Sequence, residues 1–169
     1  MADVKIEHIY NCSADTFWDK IFFDDAYNEE LFKKALEFPS YEVVEQKDSD
    51  SAIVRTINVV PKLGPMPGPV KKLIGDGLGY REEGTFDKKS RRYTIKITPN
   101  KMADKIKISG VLYAEPAGEG KINRVFEAKV EVKIFGVGGL VEKQVIGDME
   151  TSYAKGAEFT NKFIADKGL

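Results

Sequence analysis

Residues 122–136 read INRVFEAKVEVKIFG, and from Val137 to about Lys167 the period of the chain changes. In the first stretch Phe126, Ala128, Val130, Val132 and Ile134 alternate with Glu127, Lys129, Glu131 and Lys133, the pattern of a strand with one buried and one wet face. A slip of one residue would turn every apolar side chain to water, so the register is strongly specified. In the second stretch Leu140, Val141, Val145, Met149, Tyr153, Ala157, Phe163 and Ile164 fall close to one helical stripe. At about 1.5 Å per residue this helix runs roughly 40 Å, enough to cross a whole sheet. Gly138 and Gly139 precede it. Gly147 and Gly156 lie within it at a cost of about 1 kcal/mol each relative to Ala, which suits an inner face that something approaches closely.

Working outward, GYREEGTFD (79–87), RRYTIKITP (91–99) and KIKISGVLYAE (105–115) are strands separated by the turn-like DKKS, PNKMAD and PAGEGK, an antiparallel meander. YEVVEQ (41–46) and SAIVRTINVV (51–60) flank the polar turn Lys47-Asp48-Ser49-Asp50 and read as a hairpin. VKIEHIY (4–10) is a first strand, with Val4, Ile6, His8 and Tyr10 on one side. Two short amphipathic helices follow it: ADTFWDKIFF with Ser13 as cap, and DDAYNEELFKKAL with Asp24 or Asp25 as cap, stopped by Phe38-Pro39.

The 169 residues, 42% hydrophobic and 31% charged, fit one domain spanning 1–169 that buries roughly 70% of its unfolded surface. Lys plus Arg is 26 against 27 for Asp plus Glu, so nucleic-acid binding lacks its electrostatic footprint. The single Cys12 excludes an internal disulfide, no charged-then-apolar leader opens the chain, and no apolar run approaches a membrane span. The expectation is a cytoplasmic chain. His8 and Cys12 alone cannot assemble a zinc or iron set, and no cofactor motif is present.

The order strand, two short helices, about six antiparallel strands and one long C-terminal helix resembles the α+β helix-grip fold of the START-like superfamily. That superfamily also holds the pollen-allergen-related plant proteins, polyketide aromatase/cyclases and ubiquinone-binding proteins. Within it KIFGVGGLVEKQVIGDMETSYAKGAEF (133–159) is similar to the strand-to-helix junction of a bacterial START-like family of unknown function, through Gly136, Gly138, Gly139 and the acidic Glu142. The resemblance implies a curved sheet of about seven strands gripping the long helix. It also implies an apolar cavity between them, with its mouth beside a long loop. It brings no catalytic motif.

That loop is PKLGPMPGPVKKLIGDG (61–77). Its prolines forbid regular pairing, yet Met66, Leu73 and Ile74 are apolar. Pro69–Ile74 is expected to form about one and a half helical turns ended by Gly75 and Gly77, so that Met66, Leu73 and Ile74 gate the mouth. Lys71 and Lys72 would face water or, in transient contact, an anionic membrane surface. An ordered loop that packs on the sheet is the plain alternative.

The other candidate site residues are His8, Tyr10, Arg55, Tyr80, Glu82, Tyr93, Tyr113, Met149 and Tyr153. His8 is either a core histidine with a satisfied hydrogen bond or a ligand contact. Glu82 shares a face with Tyr80 and Phe86; if inward, it must meet Arg55 or His8, or take a proton and bind a ligand hydroxyl, whereas near a sheet edge it is simply solvated. Both faces of 52–60 are half apolar, so Arg55 is left either pinning an anionic head group or closing a structural ion pair. The five tyrosines, and Met149 with Val145 and Tyr153, serve as core or as lining for an amphipathic ligand. Three functions follow. The first is binding or carriage of a hydrophobic small molecule such as a lipid, sterol, isoprenoid or polyketide. The second is a cyclase or hydratase using the same cavity, and the third is a protein-interaction module with the cavity collapsed.

Overall fold

Consecutive hairpins build most of the sheet, and the alternation of apolar residues decides which face turns inward. In this computed structural model, which describes residues 1–169, the strands are β1 (Ala2–Tyr10), β2 (Ser40–Asp48), β3 (Ala52–Val60), β4 (Tyr80–Asp87), β5 (Arg92–Pro99), β6 (Ile106–Pro116) and β7 (Ile122–Val132). They form one antiparallel sheet in the order β1-β7-β6-β5-β4-β3-β2, so β1 closes beside β7. The β1–β7 register runs from Ala2 opposite Val130 to Tyr10 opposite Ile122, placing His8 opposite Arg124. β7 buries Phe126, Ala128 and Val130 while Glu127 and Lys129 stay exposed, the face read from its sequence. On β3 the burial of Arg55, Ile57 and Val59 answers the question that periodicity left open: Arg55 points inward.

The helices lie on the concave side. α1 begins as Ala14–Thr16, with the Ser13 hydroxyl accepting from the Thr16 N–H at 3.1 Å, and widens into the π-helical segment Phe17–Phe22. α2 begins as Asp25–Glu29, capped by Asp24 on the Tyr27 N–H at 2.9 Å, and widens likewise over Glu30–Ala35. The wide turns depart from the regular helical period expected here. In the first of them Phe17, Trp18, Ile21 and Phe22 are all buried. Their rings meet Tyr10, Phe86 and Tyr93 edge-on or tilted at 4.4–5.5 Å, which fills the floor of the grip with aromatic contacts.

α3 (Gly68–Ile74) forms inside the 61–77 loop, starting one residue earlier than Pro69 and ending at Gly75, whose φ of 65° suits glycine. α4 (Gly138–Lys167) packs along β1, β7 and α2 with Val141, Ala157, Thr160 and Ile164 buried. Its glycines do not mark a close approach: nothing lies within 4 Å of a Cβ built at Gly147, and Leu31 lies at an ordinary 3.7 Å from one at Gly156. The architecture is the α+β helix grip, a curved sheet wrapped on a long helix. No helix is long and apolar enough to cross a membrane.

Candidate functional site

Between the sheet, the α1–α2 pair and α4 lies a cavity of about 230 Å³, with 21 hydrophobic residues among the 32 that line it. One end is walled by Pro61, Leu63, Ile74 and Leu78 from the loop segment, the other by Tyr10, Arg124, Phe126 and Tyr153. Three groups of polar contacts stand along it, besides the lining residues Asn28, Tyr80 and Ser152.

Midway along the sheet, Arg55 and Glu82 meet across β3 and β4, Nη2 to Oε1 at 3.8 Å, with side chains only 4% and 13% exposed. Arg55 Nη1 also donates to the Phe22 carbonyl at 3.4 Å, and its guanidinium lies 4.9 Å from the Phe22 ring centre and 5.5 Å from that of Tyr93. The Tyr93 hydroxyl donates to Glu82 Oε1 at 3.4 Å. It gets there by lying across Gly84, where a Cβ would sit 1.9 Å from the phenolic oxygen. Burial holds the Glu82 carboxyl above its ordinary value, and Arg55 and Tyr93 offset only part of that rise.

At the far end Arg124 Nη1 donates to the Tyr10 hydroxyl at 3.1 Å while its guanidinium lies 4.7 Å from the Tyr153 ring centre. Beside it Tyr27 and Thr160 share a hydroxyl hydrogen bond of 2.7 Å, and Thr160 donates on to the Gly156 carbonyl at 2.6 Å. At the loop end Asp148 of α4 accepts from the Gly64 N–H at 3.0 Å and from Gln144 at 2.8 Å. Lys101, in the β5–β6 turn, donates to the carbonyls of Ile74 and Asp76 at the end of α3, at 3.2 and 2.9 Å. No group of three or more His, Cys, Asp or Glu side chains converges as a metal site.

Residues 5–164 match one protein family over almost the whole chain. The chain belongs to the family described as protein of unknown function DUF2505. Among curated proteins none matches this DUF2505 chain in sequence. Its fold is shared with solved structures of low identity. A point mutant of norcoclaurine synthase from Thalictrum flavum, in complex with a transition-state analogue, is 16% identical, with 99% of this chain and 96% of that one covered at a TM-score of 0.67. The Zhui aromatase/cyclase from Streptomyces sp. R1128 is 12% identical, with 99% and 96% covered at 0.65. A START superfamily protein from Mycobacterium smegmatis is 13% identical, with 96% and 98% covered at 0.60. These likenesses establish a START-like helix-grip fold.

Of the residues singled out in the sequence, Tyr10, Arg55, Tyr80, Glu82, Met149, Tyr153 and Ile74 line the cavity of this DUF2505 chain, and His8, Tyr93, Tyr113, Met66 and Leu73 do not. Tyr93 is buried just behind the wall, bonded to Glu82. Tyr113 is on the convex face, its hydroxyl on Glu127 at 2.9 Å and Arg92 over its ring, because β6 turns Ile106, Ile108 and Leu112 inward instead. His8 sits half-buried on the inward side of the β1 edge strand; burial first, and the Arg124 charge second, lower its pKa. In α3 it is Val70 and Ile74 that are buried, while Leu73 is 39% exposed and Met66 packs only partly against the core. Arg124 was missed, although it shares the alternation of Phe126, Ala128 and Val130 that marks the buried face of β7.

Proposed function

We propose that this chain binds and carries an apolar or amphipathic small molecule, of the class of lipids, sterols, isoprenoids or polyketides, between the sheet and α4. The observation that supports it is the cavity wall, two-thirds apolar with a minority of polar groups, the pattern of a site that solvates a hydrophobic body and orients it by a few contacts. Its volume of about 230 Å³ exceeds the roughly 150 Å³ that suffices for benzene in an engineered apolar cavity. Each methylene buried there contributes about 0.8 kcal/mol, so a ten-carbon chain gains on the order of 8 kcal/mol before the cost of ordering it. The cavity supports this reading over a protein-interaction module with the cavity collapsed. Exchange would pass the loop end, where Lys71, Lys72 and Leu73 are exposed and suited to transient contact with an anionic membrane surface.

The test is native mass spectrometry of protein purified from its source cells without delipidation, followed by solvent extraction. A co-purified apolar molecule is the expected result. Repeated absence of any ligand, together with no uptake of the neutral fluorophore N-phenyl-1-naphthylamine, would remove the proposal.

One observation favours an enzymatic variant of the same reading: the Glu82 carboxyl, held above its ordinary value by burial, lines the cavity beside the Tyr93 hydroxyl. Such a pair can hand a proton to a folded chain in a cyclase or hydratase reaction. Glu82→Gln would then abolish turnover of the extracted ligand and leave its affinity within about twofold, and unchanged turnover would end this variant.

A further inference from the structure

The charged groups in the cavity wall are Arg55, Glu82, Arg124 and Asp148. Three of them are answered within the protein: Arg55 by Glu82, and Asp148 by the Gly64 N–H and Gln144. Arg124 is not. No carboxylate forms an ion pair with it, and what it meets is phenolic: Nη1 donates to the Tyr10 hydroxyl at 3.1 Å, and the Tyr153 phenol lies beside the guanidinium. Its Nε is covered from solvent and has no partner. Nε belongs to the Nε–Nη2 edge, the edge of a guanidinium that takes a carboxylate through two parallel hydrogen bonds.

The groups around Arg124 do not neutralise it. From β1 come Tyr10 and His8, from α2 Tyr27, from α4 Tyr153, and Glu82 of β4 is already engaged by Arg55 and Tyr93. Burial keeps the Tyr27 and Tyr153 phenols well above their ordinary range, so they remain neutral. Burial and the Arg124 charge hold His8 below its ordinary value, so it is neutral at and above pH 7. An arginine cannot shed its proton, and a cation among apolar and phenolic groups is costly unless an anion joins it.

We propose that Arg124, with the Tyr10 hydroxyl beside it, binds the anionic head of the ligand at the far end of the cavity. The ligand is then an apolar acid: a hydrocarbon or aromatic body that ends in a carboxylate or an equivalent oxyanion. The apolar wall that runs from Phe126 and Leu112 to Ile106 and Ile74 takes the body, and the head sits furthest from the 61–77 loop. Along β7 the eight steps from Arg124 to Val132, which stands opposite Ile106, measure about 27 Å. The assignment rests on the cavity being a ligand site, and the test separates the two.

N-phenyl-1-naphthylamine bound to the full chain at pH 8 is displaced by decanoate or by decanol, which differ in the head group alone. In the unmodified chain decanoate should displace it at least tenfold more effectively than decanol. Arg124→Gln should erase that preference by weakening decanoate at least tenfold and leaving decanol within about twofold, and Arg124→Lys, which keeps the charge and loses the fork, should retain part of it. Equal displacement by acid and alcohol in the unmodified chain overturns the assignment while the cavity reading stands. An undiminished preference in Arg124→Gln, or in Arg124→Lys should the first variant not fold, also overturns it. If the fluorophore does not bind at all, the cavity reading falls and the head-group assignment with it.

Discussion

Arg55 and Glu82 stand on neighbouring antiparallel strands with guanidinium and carboxylate 3.8 Å apart, and the Tyr93 hydroxyl donates to the same carboxylate oxygen at 3.4 Å. Both side chains are buried, and the two partners respond differently to losing each other. Glu82 can take a proton and become a neutral acid; Arg55 keeps its charge whatever surrounds it.

Glu82→Leu should therefore lower stability by about 3–5 kcal/mol, since it strands a buried cation. Arg55→Met should cost less, and less at pH 5 than at pH 8, because the orphaned carboxyl is neutral in acid. The double variant should lie well below the sum of the two. Urea unfolding at both pH values measures this, with the midpoint shifting and the slope constant. Additive costs would show that the pair is not coupled.

The same carboxyl sets a pH dependence. Its folded pKa lies above the ordinary 4.5, so the folded chain holds a proton that the unfolded chain has released. Stability then falls as pH rises from about 4.5 toward the folded value, and the contribution of the neutral form is complete only below that window. Exposed carboxylates such as Glu37 and Asp87 are shifted the opposite way, by hydrogen bonds with Lys62 and Ser90, and mask the slope in the total. The difference between the unmodified chain and Glu82→Gln isolates it. That difference should move against the unmodified chain as pH rises from 4.5, and a flat difference would mean that burial does not govern this group.

Gly84 allows the Tyr93 ring to cross β4, and a methyl group there would overlap the phenol at 1.9 Å. Gly84→Ala should cost about 1–3 kcal/mol through overpacking, or roughly 2–4 °C in Tm for each kcal/mol. In a Tyr93→Ala background the same change should cost less than about 0.5 kcal/mol, because the overlapping ring is gone. Thermal unfolding of the four proteins reads the coupling directly.

The long β7–α4 succession was legible because Phe126, Ala128 and Val130 alternate on one buried face and Val141, Ala157 and Ile164 bury one side of the helix, although Leu140, expected on that stripe, is 42% exposed. β3 was not. It lies one strand from the β2 edge, so Val54 on its outer face is 41% exposed and apolar, and neither face looked like the core. Arg55 gained its direction only from partners on other elements: Glu82 on β4, Tyr93 on β5 and the Phe22 carbonyl of α1.

Tyr113 and Arg124 depart from the sequence reading for a different reason. The alternation that hides Ile106, Ile108 and Leu112 puts Tyr113 outside, and the alternation of Phe126 and Ala128 puts Arg124 inside. Both were present in the sequence. Residue type outweighed phase: Tyr113 was counted as lining for its ring, and Arg124 was not singled out. In α3, by contrast, Val70, Leu73 and Ile74 share one helical face, and only the angle at which the helix docks separates the buried pair from the exposed leucine.

That docking angle carries the last prediction. Ile74 is 2% exposed and lines the cavity, the Lys101 ammonium ties its carbonyl to the β5–β6 turn, and Asp148 ties Gly64 to α4. The loop is held at both ends by polar contacts, each worth about 1–2 kcal/mol, with Ile74 in the cavity wall. Lys101→Ala and Ile74→Ser should each speed dissociation of bound N-phenyl-1-naphthylamine into excess lipid vesicles about tenfold, read by stopped-flow fluorescence. Leu73→Ser should leave the rate within about twofold, since its side chain seals nothing, and should instead lower any affinity for anionic vesicles. Unchanged dissociation from both Lys101→Ala and Ile74→Ser would mean that the ligand leaves by another route and that α3 is a fixed part of the wall.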